Sequence, residues 1–321
     1  MKSLKKILLI ILCAFILVKI CGYFFDKGYK YYYTPFFEKM DFVFKDTSYN
    51  DIIYFGNSRA NFGINPYFVD SICKTKSYNL GFGGTDISST ISFLQSYLSQ
   101  HPAPQYLVYS YDYRIFQFRD MLELAPVYFY YAQHKPIRNE LHRFGYHEKL
   151  LQYVPDLKYC FFTDYYRTCI VKGLSGESMS SPVKQQHIEK HLYDHRGFIN
   201  YQSGQITITE KPGTNIPGMD IACINLLNTL VNTCNQNKIK LVLIYAPEFN
   251  KQEDTVSKKI QERKITIDSM LLSVCKKNNF YYKRFDTKDF APEDFIDEIH
   301  VNIKGAKKYS EMLGNYIKTL Q

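Results

Sequence analysis

Three side chains have the types needed to break an ester bond: Ser58, Asp297 and His300. Ser58 follows an apolar run, Ile52-Ile-Tyr-Phe-Gly56, that stops on Gly-Asn-Ser-Arg59. Gly, Asn and Ser are ordinary turn residues, and a strand has to end somewhere. A serine on the sharp turn after a buried strand is also where a nucleophile is exposed. Asp297-Glu-Ile-His300 supplies the rest. Residues three apart on one turn face the same side. Asp297 is then able to accept the Nδ1 proton of His300 and leave Nε2 to take a proton from a serine hydroxyl. By itself such a pair is equally a surface Asp–His contact, so the argument rests on the elements that bring it to Ser58.

Those elements alternate. Short strands are expected at 51–55, 77–80, 105–110, 239–245 and 281–285. Helices are expected from the Asn65-Pro66 cap to Cys73, over 88–99, 219–236 and 257–278, and over 304–320. Strand–helix alternation implies parallel strands with crossovers, hence a three-layer α/β sandwich. Ligands of such open sheets bind beyond the carboxyl ends of the strands. Ser58, Gly84, Asp112 and Pro247-Glu248 all fall there, and Asp297 and His300 immediately precede the last helix. The stretch 113–217 breaks the alternation as an aromatic-rich insertion after the third strand, with a hairpin-like run at 196–204.

The first 25 residues differ from the rest. Lys2, Lys5 and Lys6 precede the apolar run Ile7–Val18, and Ile20–Phe25 extends it past Lys19. Together these approach the ~20 residues that span a bilayer, and no small-residue cleavage site follows. We read 1–25 as an uncleaved signal anchor, with a cleaved signal as the alternative. Residues 26–50 form a juxtamembrane lead and 51–321 the exported domain. The leading lysines keep the N-terminus inside, which places the domain outside a bacterial cytoplasmic membrane, with Lys19 snorkelling to the interface.

The net charge of +9 includes four lysines and no acid in residues 1–25, leaving +5 for the remainder. No basic block suggests a nucleic-acid partner. His187, His191 and His195 fall at helical spacing, but they do not form H-E-x-x-H, and we assign them to the surface or a substrate face; no metal and no cofactor is expected. Beyond the first 25 residues, which hold Cys13 and Cys21, Cys160 and Cys169 are the closest cysteine pair, either bonded or lone buried thiols.

In these blocks the chain resembles the SGNH (GDSL-like) hydrolase superfamily. Gly56-Asn-Ser58, Asn79-Leu-Gly-Phe-Gly-Gly84 and Asp297-Glu-Ile-His300 stand in the family's order. The resemblance implies a flavodoxin-like sandwich with Ser58 as nucleophile and His300 and Asp297 completing the triad. It also implies an oxyanion hole from the Ser58 and Gly84 N–H groups, with Gly83 in reserve. The third block departs: where the family carries an oxyanion-binding Asn, this chain has Asp112, and an ionised carboxylate only accepts hydrogen bonds. Arg59 is a candidate partner that would neutralise it; alternatively, both side chains point to solvent. Membrane-tethered members of this kind imply an esterase or O-acyltransferase acting on an acylated envelope polysaccharide, with a multi-span membrane acyltransferase as the partner of the transfer version. The rival reading is a non-catalytic glycan-binding or assembly subunit.

Overall fold

A computed structural model describes residues 2–122, 124–146, 148–179, 196–199, 219–249, 258–285 and 287–321. The expected hairpin lies mostly, and the three spaced histidines entirely, outside the described residues; Arg196–Ile199 are described and contain no strand. The chain divides into two compact units. One comprises Met1–Phe37 with Leu124–Pro182, and the other Glu38–Glu123 with Val183–Gln321.

The larger unit is built on a five-stranded sheet, all parallel, in the order β2-β1-β3-β4-β5. Its strands are β1 (Ile52–Gly56), β2 (Ser77–Asn79), β3 (Tyr106–Tyr111), β4 (Lys240–Tyr245) and β5 (Tyr281–Arg284). β1 and β3 are buried at every position, as expected for parallel strands covered on both faces. Alternate residues serve opposite layers. Ile52, Tyr54, Val108, Val242 and Ile244 join one core with Tyr309, Leu313 and Ile317 of α12 (Ile303–Lys318). Two helices lie beside α12: α3 (Ser58–Gly63) and α4 (Pro66–Cys73). The other face carries α5 (Ile87–Gln100), α10 (Ile221–Gln236) and α11 (Lys258–Asn278). This is the flavodoxin-like α/β sandwich, with element boundaries within a few residues of expectation.

The caps explain why the helices begin where they do. Asn57, Asn65, Asp86, Asp220 and Asn302 each accept a backbone N–H in the first turn of the following helix, satisfying donors that a helix start leaves orphaned. Gly56 is required at the end of β1. Its φ is +141°, and a Cβ there would come 2.5 Å from the Ser110 carbonyl oxygen. Gly56→Ala is therefore expected to cost at least ~1–3 kcal/mol, seen as a lower urea midpoint at unchanged m-value.

The smaller unit joins α1 (Lys2–Tyr32) to four helices of the aromatic-rich stretch: α6 (Ala125–Phe129), α7 (Lys135–Arg143), α8 (Glu148–Tyr153) and α9 (Asp164–Leu174). A 3-10 helix, Pro155–Phe161, lies between the last two. α1 and α9 cross where Gly28 meets Gly173, so closely that a Cβ on Gly173 would sit 1.8 Å from the Gly28 carbonyl oxygen. Leu4–Tyr32 is long and apolar enough to cross a membrane or to act as a signal sequence, with a mean hydropathy of 2.7 over its most apolar 18 residues. The segment 26–50 is largely helical: α1 runs to Tyr32, and α2 (Thr34–Lys45) follows at once. Cys160 and Cys169 are both free, and Cys169 Sγ lies 3.3 Å from the Tyr33 hydroxyl.

Candidate active site

Ser58 is the first residue of α3, set at the carboxyl end of β1 by the turn at Gly56 and the Asn57 cap. Its Oγ is 2.8 Å from His300 Nε2. His300 Nδ1 is 2.8 Å from Asp297 Oδ2 and 3.1 Å from Oδ1. The geometry behind this pair differs from a helical turn. Residues 296–300 form a bend closed by an antiparallel bridge between Phe295 and Val301, and Ile296 N donates to the His300 carbonyl. Within the bend, Asp297 Oδ1 accepts the backbone N–H groups of Ile299 and His300. Burial alone would raise the pKa of Asp297, but the hydrogen bonds from His300 and Ile299 outweigh it and hold the carboxyl below its usual range. The Phe62 ring meets the imidazole edge-on at 5.8 Å.

Gly84 lies in the turn after β2 with φ +68°. That turn is pinned to the end of β1, since Phe82 N and the Thr85 hydroxyl both donate to the Gly56 carbonyl. The segments carrying Ser58 and the Gly83-Gly84 pair are thus tied at a shared residue two positions before the serine. A third tie comes from α2. Lys39 of α2 is fully buried, and its ammonium donates to Asn61 Oδ1 on α3 at 2.5 Å and to the Gly81 carbonyl. Burial pulls its pKa well down. Its place on the stripe Phe36, Lys39, Met40, Val43 was a usable signal, because a lysine on an apolar helix face has to find acceptors.

The expected Arg59–Asp112 pair does not form, and neither side chain simply points to solvent. Arg59 is buried. Its guanidinium lies 4.2 Å from the centre of the Tyr245 ring, donates to the carbonyls of Ala246 and Pro247, and is 3.9 Å from Glu248. Burial works against ionisation of Glu248, but Arg59 and Lys264 beside it keep its pKa low. Arg59 thus clasps the turn after β4. Asp112 has other donors, Asn57 Nδ2 and the backbone N of Arg114 at 2.7 Å, and forms a long ion pair with the guanidinium of Arg119 at 3.9 Å. The in-register pairing of Gly56 with Ser110 explains the Asn57 contact, since Asn57 and Asp112 follow these partners by one and two residues. Asn57 is held at both ends of its amide, with Oδ1 accepting Arg59 N at 3.0 Å.

A small recess between Ser58, His300, Phe62, Ile299, Ala246 and Pro247 has a volume of about 10 Å³, about the room one water needs. Chemically, the set can deprotonate a serine hydroxyl and hold the resulting imidazolium against a carboxylate.

No protein-family model matches the chain, and no curated protein sequence matches it. Among solved structures it is similar to a Streptococcus pneumonia protein named for platelet activating factor. That match has 10% identity and a TM-score of 0.42, covering 95% of this chain and 99% of that one. It is also similar to a Bacteroides fragilis protein named as an acylhydrolase, at 10% identity and TM-score 0.36, covering 83% and 87%. A gut microbial diltiazem-metabolizing enzyme matches at 10% identity and TM-score 0.39, covering 84% of this chain and 49% of that one.

Proposed function

We propose that the chain is a membrane-anchored, extracytoplasmic serine esterase or O-acyltransferase acting on an acylated envelope polysaccharide. The observation that carries this reading is the continuous hydrogen-bonded line Ser58 Oγ, His300 Nε2, His300 Nδ1, Asp297 at the carboxyl end of the sheet. In the first half-reaction, Ser58 Oγ attacks the acyl carbonyl carbon while His300 Nε2 takes the hydroxyl proton. The oxyanion faces the N–H groups of Ser58 and Gly84. Collapse breaks the bond to the leaving alcohol, which receives the proton from His300. In the second half, water or a sugar hydroxyl attacks the acyl-serine with His300 again as base, and Ser58 is regenerated. A multi-span membrane acyltransferase supplying the acyl donor fits the transfer version of this chemistry.

A fluorophosphonate probe tests the reading. Wild-type protein is expected to label at Ser58, and Ser58→Ala is expected not to. A folded wild type that does not label would sink the enzyme.

The second reading, a non-catalytic subunit, is favoured by one observation: Asp112 puts a carboxylate beside the nucleophile's turn. In Asp112→Asn, the side-chain oxygen can keep the hydrogen bond from Asn57 while the amide adds a donor. Hydrolysis of a small activated acetyl ester should survive or rise. Loss as complete as in Ser58→Ala, with folding intact, would assign the carboxylate a direct role.

A further inference from the structure

The insertion contributes a short segment that runs along the far end of the apolar helix. Asp156 Oδ2 lies 2.5 Å from Lys19 Nζ. Tyr159 Oη donates to the Gly22 carbonyl at 3.1 Å and to Asp26 at 2.9 Å. Asp26 also accepts from Tyr130 and Lys158. The 3-10 helix 155–161 is therefore a strap on α1 from Lys19 to Asp26, and its groups neutralise both charges on that stretch.

Depth follows from counting. A hydrocarbon core of ~30 Å takes ~20 helical residues. Begun at Ile7, after the leading lysines, it reaches Asp26. Lys19 then lies about 10 Å short of the far boundary, at ~1.5 Å of rise per residue. The strap begins at that level, with Asp156 on the ammonium. Tyr153 and Val154 precede Asp156 by three and two residues, so the chain holds them within about 10 Å of the pair. Their exposures are 79% and 48%, and Leu150, one turn earlier on α8, is 54% exposed. An open apolar groove of about 320 Å³, lined by Phe15, Ile16, Lys19, Ile20 and Tyr23, adjoins the same level of α1.

We propose that α8 and the strap are seated in the outer interface of the bilayer, with Leu150, Tyr153 and Val154 against lipid. This rests on α1 crossing the membrane. The Lys19–Asp156 pair holds Tyr153 and Val154 near the level of α1 at which Phe15, Ile16, Ile20 and Tyr23 are themselves exposed, and an exposed apolar side chain at that depth meets acyl chains and headgroups rather than bulk water. Lys19 is neutralised by Asp156 instead of snorkelling alone. The insertion then has a definite task, bracing the smaller unit at the membrane surface.

The chain contains no Trp, so one introduced indole reports its own surroundings. The full-length protein is placed in phosphatidylcholine–phosphatidylglycerol vesicles whose phosphatidylcholine carries bromine either near the ester end or near the chain end. Three variants are compared: Ile10→Trp for the mid-span, Tyr23→Trp for the far boundary, and Tyr153→Trp. The expected result is that Tyr153→Trp is quenched like Tyr23→Trp, best by bromine near the ester end, and is shielded from acrylamide. Full acrylamide quenching without bromine quenching at position 153 overturns the proposal. So does shielding from both quenchers, which would mean that protein covers the face. If Ile10→Trp and Tyr23→Trp also escape bromine quenching, the membrane crossing itself falls, and this inference with it. Asp156→Ala should shift Tyr153→Trp toward acrylamide access and leave Ile10→Trp unchanged.

Discussion

Ser58→Ala is expected to lower hydrolysis of a small activated acetyl ester by ~10⁴–10⁶-fold, the range seen when a triad nucleophile is removed. Stability should barely change. The α3 cap is the Asn57 side chain, not Ser58, and the serine hydroxyl is hydrogen-bonded to His300. A partly buried hydroxyl with no capping duty belongs with substitutions that move stability by about 0.5 kcal/mol or less. His300→Gln should fall to a similar level, and the double variant should be no slower than either single one, because the two groups act as a unit. Steady-state rates and urea midpoints on the three proteins decide the matter. A Ser58→Ala protein that keeps its rate would remove the nucleophile assignment, whatever His300 does.

Asp297→Asn should cost ~10³–10⁴-fold in rate. The carboxylate accepts from His300 Nδ1 and from two backbone N–H groups of the bend. An amide offering its NH₂ to Nδ1 stabilises the opposite tautomer, with the proton on Nε2 facing Ser58, and that imidazole cannot accept the serine proton. The pH dependence has a definite sign. The folded pKa of Asp297 is lowered, so its stabilising contribution is fully present above the ordinary carboxylate range. It is lost as pH falls through the depressed folded value. The stability gap between wild type and Asp297→Asn should therefore be flat near neutrality and close on acidification. Urea midpoints across that range would show it, and a gap that widened in acid would contradict the geometry.

Much of this arrangement was legible because a few residues act locally. Asn65-Pro66 marks a helix start by cap and fixed φ, and α4 begins at Pro66. β3 and β4 are apolar runs between turn signals, and their alternation with helices leaves little freedom of topology. The approach of Ser58 to His300 followed from the rim rule. The reason Asp297 faces His300 did not, because an isolated bridge such as Phe295 to Val301 has no sequence signature. The side chain of Arg59 is hard to place from sequence for a related reason. Strand order shows that β1 and β3 are neighbours, but a long side chain at the second position of a helix can turn either way, and the carbonyls after β4 and the Tyr245 face drew it. The helices of the smaller unit were hidden by composition: Tyr and Phe occur on all sides of them and blur the 3.6-residue period. Lys135-Pro136 was nonetheless a readable start for α7, with Pro in the first turn.

The bend that holds His300 has a consequence for timing during synthesis. Ser58 and its base are 242 positions apart, and the base is fixed only once Val301 bridges to Phe295 and α12 packs on α3 and α4. β1, β2 and β3 are complete by residue 111, so the nucleophile's turn can exist long before any group able to deprotonate it. A growing or interrupted chain therefore carries an inert hydroxyl. Reactivity switches on in one late step, and the same step leaves a truncated product harmless to esters in its surroundings.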